Sequence, residues 1–383
     1  MNKADRTRSI VYVNFSPYEN AGRILDWLIS DYDLVVLFSF DFHKLNNKNQ
    51  SNSIKIWQQG KKVKEIKLYQ LPSSEALLFI TLPLIILLIG LQTLWQMIRL
   101  RRRYGTFDTY LTVNAFTAWL GNILRAWGMV NKTIFWVWDY YPPGYPDWKI
   151  RLARWGYWQF DRWSSMTSSK VIFLNERLVK LRQDINVLPK NRDYPIVPIG
   201  TNPGRPLSKV KPIIGHMGVL KISQGLDLLF DQLPTLIKLV PNIKVEIVGS
   251  GPDEAHFRAR AKGYKNIKFY GFIKDENKVD DIIRHWLAGV APYIPDTSNP
   301  AYWTDPSKIK AYISQGVPVI TTNITPFAKE VHAAKAGVMI DYFEPDALAT
   351  AAAKIFKDSN YRKRAYELAK KYEYKKIYAN SFK

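Results

Sequence analysis

The chain has 383 residues, no cysteine, five histidines and a formal net charge of +22. The lack of cysteine excludes disulfides, thiolate metal sites and cysteine nucleophiles, and makes a reducing compartment the expected setting. The histidines are scattered without an HExxH-type spacing, so no metal and no cofactor is assigned. The cationic excess is spread over both halves, which suits a phosphorylated substrate, an anionic membrane surface or nucleic acid. Nucleic acid is set aside because no zinc finger, RNP aromatic pattern or basic recognition helix is present.

In chain order, the opening "MNKADRTRSIVYVNF" has no apolar run of signal-peptide length, so a cytoplasmic location is expected. Strands are read at 10–15, 33–40 and 66–71. From Ala76 to Ile98 run 23 residues without a charge, followed by "RLRRR". The segment is long enough to span a bilayer. Strands on both sides of it, paired in one sheet, would however put its two ends in one compartment. The expected arrangement is a helix lying in the interface, with Trp95 near headgroup level and Arg99, Arg101, Arg102 and Arg103 on anionic headgroups. An ordinary buried crossover helix is the competing reading and a true span the third. The near absence of polar residues before Gln92 favours the interface.

Further strands are read at 109–114, 133–138, 170–175 and 194–200, and the Pro-rich "TNPGRPLSKVKP" (201–212) is the expected linker. The second half then alternates strands at 213–218, 244–249, 267–272, 289–294, 317–322 and 336–341 with helices at 225–240, 253–263, 279–288 and 305–316. From Pro345 the chain reads as helical and polar. This alternation predicts an α/β protein of two Rossmann-like domains facing across a cleft, with the C-terminal helix returning to the N-terminal domain. The expected divisions are 1–203, 204–358 and a helical tail at 359–383.

Four stretches of the second half bear on chemistry. "GHMGVLKISQG" (215–225) offers glycines, a lysine and a helix start, which let backbone N–H groups approach a phosphate. A plain turn explains it as well. "IVGSGPDE" (247–254) flanks Ser250 with glycines, leaving room for a flat ring or ribose, and "FYGFIKDE" (269–276) adds a third glycine turn. "DPSKIKAYISQGVPVIT" (305–321) puts Lys308 in the first turn of a helix, where the dipole is already positive. A cation there calls for an anion between it and the helix end.

In this order and spacing the four stretches resemble the C-terminal domain of GT-B glycosyltransferases, most of all the retaining family four group. The resemblance covers about 210–358 and rests on "GSGPD", "NIKFYGFI" and the pattern PxKxxxYxxxGxPVI. The first half is similar more loosely, through "VWDYYPP" (137–143) and "VIFLNERLVKLR" followed by "YPIVPIGTN". The resemblance implies a nucleotide diphosphate sugar donor, UDP- or GDP-linked, in the C-terminal domain. It also implies a lipid-linked or polysaccharide-repeat acceptor on the N-terminal domain, at the inner face of the membrane, and metal-independent transfer with retention.

On that reading Gly218, Lys221, Gln224, Gly249, Ser250, Gly251, Gly271, Phe272 and Lys308 bind the nucleotide and its diphosphate. Tyr302, Trp303, Thr304 and Asp305 touch the sugar, and Tyr18, Asn20 and Gly22 lie on the acceptor side. Lys308 and Asp139 carry the chemistry, Lys308 at the leaving group and Asp139 near the acceptor hydroxyl. Each has a plainer alternative: Lys308 as a surface lysine, Asp139 as a cap before Pro142, Gly22 as a helix start, Tyr302 and Trp303 as packing. The sequence also departs from the family. Trp303 and Ala311 stand where many members carry a Glu pair, and Val219 and Gln224 stand where the phosphate loop offers Arg and Lys. Lys221 and Lys308 are expected to replace those contacts. The missing carboxylates motivate a second reading, a non-catalytic subunit or scaffold at the membrane. A GT-B sugar-nucleotide epimerase is a third, against which the apolar segment argues.

Overall fold

The computed structural model describes residues 8–15, 18–41, 52–71, 78–138, 140–141, 147–204, 207 and 210–382. It divides into two compact units, Met1–Pro198 with Tyr378–Lys383, and Ile199–Ile377. The break therefore falls before the expected linker, and 359–383 is no separate part. The reason is local: the amide of Ile199 already donates to Asp305 (2.7 Å) and its carbonyl accepts from Lys310 (2.8 Å), so Ile199 is held by the second unit.

The first unit holds β1 (Ser9–Phe15), β2 (Leu34–Phe40), β3 (Ser53–Gln58), β4 (Lys61–Lys67), β5 (Phe107–Thr112), β6 (Val130–Val137) and β7 (Lys170–Phe173). The sheet order is β4-β3-β2-β1-β5-β6-β7. Strands β2, β1, β5, β6 and β7 run parallel, while β3 pairs antiparallel with both β2 and β4. The single strand expected at 66–71 is thus replaced by a hairpin. Its turn residues Gln59 (φ 47°) and Gly60 (φ 78°) are both left-handed, which matches the twist of the flanking strands. The lysine-rich β4 forms the exposed edge, a composition that discourages pairing with another sheet. Residues 194–200 form no strand; Ile196 makes an isolated bridge to Phe173.

Among the described residues, the α-helices between these strands and after β7 are α1 (Ile24–Asp31), α2 (Leu78–Tyr104), α3 (Ala115–Ala126), α4 (Trp148–Thr167) and α5 (Glu176–Asp184). β4→β5, β5→β6 and β6→β7 are parallel crossovers in one direction along the sheet, so right-handed connection puts α2, α3 and α4 on one face. The contacts agree. Phe116 of α3 lies 5.2 Å ring to ring from Phe160 of α4, and a Cβ at Gly90 of α2 would stand 3.6 Å from Phe116.

α2 is buried on one side and apolar but exposed on the other. Ile89, Met97 and Leu100 are buried in the sheet's core, as in a crossover helix. Ile80, Leu84, Leu87, Leu91 and Trp95 form a stripe on the other side, each 57–70% exposed. Gln92 pins the helix to the exit of β4, its amide exchanging hydrogen bonds with the backbone of Tyr69 at 2.8 and 2.9 Å. Residues 76 and 77 lie outside the described residues.

The second unit has six strands: β8 (Ile213–Met217), β9 (Lys244–Val248), β10 (Ile267–Gly271), β11 (Ala288–Ala291), β12 (Val319–Thr322) and β13 (Gly337–Ile340). All pairs are parallel, in the order β10-β9-β8-β11-β12-β13. This is the dinucleotide-fold order, whose direction reverses between β8 and β11. Its helices are α6 (Asp227–Asp231), α7 (Leu233–Leu239), α8 (Glu254–Arg260), α9 (Glu276–Ile283), α10 (Ser307–Ser314), α11 (Ala328–Ala333), α12 (Ala347–Lys357) and α13 (Asn360–Lys371).

The single helix expected at 225–240 is two, because Gln232 breaks it and Pro234 restarts it. The Gln232 carboxamide then caps α12 by accepting from Leu348 and Ala349 (2.8 and 3.2 Å). α12 is not polar as expected: Leu348, Ala351, Ala352 and Ile355 are buried in the core. A last helix, α14 (Tyr374–Ala379), carries the chain back to the first unit, as predicted. There the Tyr378 ring packs 5.9 Å from Trp27 and 5.7 Å from Trp136.

Candidate functional site

In open parallel sheets ligands bind outside the carboxyl ends of the strands at the point of reversal. In the second unit that point is the end of β8 and β11, and the candidate residues gather there. Pro306 precedes α10 with an extended ψ of 100°, so the helix begins at Ser307 and Lys308 stands in its first turn. Tyr312, one turn on, clamps the helix to β8: its hydroxyl accepts from the amide of Met217 at 2.8 Å.

Lys308 is not a surface lysine. It is 8% exposed, and its ammonium donates to Gln224 Oε1 at 2.8 Å across the loop after β8. A Cβ at Gly218 would stand 3.2 Å from the ammonium and crowd it, and the φ of 137° there is one that side chains rarely adopt. The Tyr293 ring lies 5.0 Å away. No carboxylate pairs with Lys308 among the described residues. Burial consequently lowers its pKa from the usual lysine value to about 7. A buried cation with one neutral acceptor is short of countercharge.

His216, not singled out from the sequence, belongs to the same place. It is fully buried on β8, its Nδ1–H donates to Val290 of β11 at 3.3 Å, and its Nε2 has no partner among the described residues. Burial, followed by the nearby Lys308 charge, holds its pKa well below the ordinary histidine range, so it is neutral. The signal available was a histidine on an apolar strand directly before a glycine loop.

The glycine loops pack on each other. Gly249 (φ 128°) and Gly251 occupy places where a Cβ would come within 2.0 Å of the Gly218 carbonyl oxygen and 2.3 Å of the Leu220 carbonyl oxygen. Leu220 donates to the Ser250 carbonyl at 3.0 Å and Asp253 accepts from Ile222 at 2.8 Å. Loop-on-loop contact alone therefore requires glycine at both positions. Gly271 (φ 70°) has open space at its Cβ position, and Phe272 beside it is exposed. Lys221 is exposed too. The helix start expected after the loop is a 3-10 turn (Ile222–Gln224) and the five-residue α6, whose Asp227 is paired with Arg260.

The 295–305 loop is tied to the loop after β8 by Asn299, whose amide donates to the Ser223 carbonyl at 2.8 Å. Trp303 Nε1 donates to Thr297 O at 2.9 Å and its ring meets Tyr302 edge-on at 4.9 Å. Tyr302, Trp303 and Thr304 are half-buried. Asp305 does not face the loop's polar surface. It is buried, ion-paired with Lys310 at 2.7 Å, and accepts from Ile199. Its part is to anchor α10, and the expectation that it touches the sugar is corrected. Ala311 packs into the core, so no carboxylate replaces the family's Glu from that position.

In the first unit, Asn20 Oδ1 accepts from Asp26 N in the first turn of α1 at 3.1 Å, and Gly22 (φ 64°) is left-handed with its carbonyl held by Tyr378 at 2.9 Å. Gly22 lies inside the 3-10 turn Ala21–Arg23 that precedes α1, and Tyr18 is 43% exposed in the same loop. Trp95 and Arg99, Arg101, Arg102 and Arg103 are exposed on α2. Asp139 lies outside the described residues. Among the described residues no three His, Asp or Glu side chains group as a metal site would require.

Residues 211–358 match the family model described as glycosyl transferases group 1. No curated protein sequence matches the chain. Among solved structures, sucrose-phosphate synthase from Thermosynechococcus elongatus aligns with a TM-score of 0.67 at 16% identity over 97% of this chain and 96% of its own. WaaG, a glycosyltransferase involved in lipopolysaccharide biosynthesis, aligns at 0.63 and 14% over 97% and 99%. HepE from Anabaena, solved in complex with UDP, aligns at 0.60 and 13% over 96% and 97%. At these identities the likeness establishes the fold, and the activity class comes from the family match in the second unit. The chain is a glycosyltransferase of GT-B fold, with a glycosyl transferases group 1 domain as its second unit.

Proposed function

We propose that this enzyme takes a sugar from a UDP- or GDP-linked donor, bound at the end of β8 and β11, and passes it to a lipid-linked or polysaccharide-repeat acceptor. The work takes place on an anionic membrane surface at the cytoplasmic side. The observation that carries the donor assignment is Lys308, a buried ammonium held by Gln224 without an opposing carboxylate. A diphosphate supplies the missing charge. Gln224 is the position where related phosphate loops offer a lysine, and α10 delivers a lysine to the same spot from the other side of the switch point.

During transfer the bond from the anomeric carbon to the donor phosphate breaks, and its electron pair stays on the diphosphate. The acceptor oxygen bonds to the carbon and gives up its proton to Asp139, assigned as the base at its hydroxyl. Lys308 stabilises the charge that develops on the leaving phosphate, an electrostatic role in a water-poor setting. The acceptor is assigned to the first unit, with Tyr18 and Asn20 beside it and Asp139 at its hydroxyl, and transfer is assigned retention. The membrane assignment draws on α2, and WaaG's role in lipopolysaccharide biosynthesis is consistent with it.

The scaffold reading is favoured by one observation, the absence of carboxylates at Trp303 and Ala311. Calorimetric titration of UDP, GDP and ADP into the detergent-solubilised protein and Lys308→Ala separates the two. One nucleotide is expected to bind with micromolar Kd and to lose at least about tenfold in the variant. Should none bind to a folded protein, the scaffold reading replaces the transferase one.

A further inference from the structure

α2 is not alone in exposing an apolar stripe. On α4, Trp148, Leu152, Trp155, Trp163 and Met166 are each 51–67% exposed, and their spacing puts them along one side of the helix. The opposite side of α4 is buried: Asp161 and Ser164 are inaccessible, Asp161 in a two-point ion pair with Arg182 at 2.6 and 3.0 Å. Between the two helices lies α3, whose half-buried Trp119 is 5.4 Å from Phe160 of α4. α2, α3 and α4 form one layer on one face of the sheet, so the two stripes border a common outer surface.

Charge selects the occupant of that surface. The three helices carry nine lysines and arginines against a single carboxylate, Asp161, and that one is buried and paired. Asp147, the exposed N-cap of α4, accepts from the Lys149 amide at 2.7 Å and is the one carboxylate at the border of this layer among the described residues. A face that combines exposed tryptophans with so large an excess of cations is complementary to anionic headgroups over an acyl boundary. α2 itself cannot cross the bilayer without leaving the sheet, since its inner residues Ile89, Met97 and Leu100 are core and the strands before and after it, β4 and β5, belong to one sheet.

We infer that α4 is a second lipid-contacting element, and that the α2–α3–α4 layer docks flat on an anionic bilayer through two tryptophan-bearing stripes. The inference rests on the membrane part of the proposed function and adds a residue-level attachment that α2 does not supply.

The full chain is tested by co-sedimentation with phosphatidylglycerol-containing vesicles and with pure phosphatidylcholine vesicles, with nucleotide binding and circular dichroism as controls for folding. W155S/W163S should lower partitioning onto anionic vesicles at least about tenfold, as should L84S/L87S on α2. Wild-type partitioning in W155S/W163S alongside a loss in L84S/L87S overturns the role of α4 and leaves the membrane reading standing. A wild type that binds nucleotide and ignores anionic vesicles overturns the membrane reading itself. A wild-type dimer that W155S/W163S turns into a monomer, with no vesicle binding, makes the layer a protein interface and overturns the inference. Because the chain has no cysteine, Trp155→Cys supplies a unique attachment point for a polarity-sensitive dye. The dye should shift to the blue on anionic vesicles; an unshifted dye on vesicle-bound protein contradicts the docking of α4 even if the double variant does not fold.

Discussion

The Lys308 ammonium and Gln224 Oε1 are 2.8 Å apart, joining the first turn of α10 to the loop after β8 across the switch point. On the proposed mechanism, removing the ammonium takes away charge at the leaving phosphate, and relief of its unpaired buried charge offsets the packing lost with the stem. Lys308→Ala is expected to lower kcat/KM by about 10²–10³-fold, while unfolding free energy changes by less than about 1 kcal/mol. Steady-state turnover with the nucleotide sugar that binds, read beside thermal denaturation, checks both halves. Turnover equal to wild type in a folded variant would remove Lys308 from the mechanism.

On the proposed function, the same lysine should make donor binding sensitive to pH. Burial lowers its pKa to about 7 from the usual 10.5, so between those values the unfolded chain holds a proton that the folded, empty protein does not. Stability from this group therefore rises with pH across the window. Diphosphate acts in the opposite sense, since an anion beside the ammonium favours the charged form. Binding above pH 7 should take up a proton, and nucleotide affinity should fall as pH increases towards 9. Calorimetry in buffers of different ionisation enthalpy measures the uptake. It should vanish in Lys308→Ala; uptake that persists there belongs to another group.

Gly249 and Gly218 meet backbone to backbone. A methyl at Gly249 would lie 2.0 Å from the Gly218 carbonyl oxygen, and its φ of 128° is one that side chains rarely adopt. Gly249→Ala should cost about 2–4 kcal/mol and displace the phosphate loop, weakening nucleotide binding. Gly271→Ala meets open space, so only its φ of 70° matters, and a loss of about 1 kcal/mol is expected. Urea denaturation of the two variants makes the comparison, and equal losses would show that loop contact is not the constraint.

The parallel sheets were legible because buried strands such as Val35–Val36–Leu37 or Ile213–Ile214 leave little choice of period, and because helices fall between them. What stayed hidden depends on partners distant in sequence. The β3–β4 hairpin was missed because its outer strand, "KKVKEIK", is exposed along most of its length and has no apolar alternation to show. Ile196 looked like a strand residue and makes one bridge. At the candidate site, the motif spacing singled out Lys308 and the glycines, while their contacts needed the fold. His216 is 92 residues from Lys308 in sequence yet shares its surroundings, and Asp305, beside the motif, turns away to Ile199 and Lys310.

That last pair offers a clean separation of anchoring from chemistry. Asp305 Oδ2 accepts from Lys310 Nζ and from the Ile199 amide, both at 2.7 Å, with both side chains almost inaccessible. Lys310 is flanked further by the rings of Tyr372 at 4.2 Å and Phe327 at 4.9 Å. Asp305→Ala leaves a buried ammonium without its anion and should cost about 3–5 kcal/mol. The double variant Asp305→Ala/Lys310→Met removes the stranded charge and should recover a large part of that loss. Nucleotide affinity in the double variant should stay within about threefold of wild type, less than the 1.4 kcal/mol that a tenfold change represents. Denaturation with calorimetry on both variants decides the matter. Affinity that collapses in a double variant of restored stability would return Asp305 to the donor site.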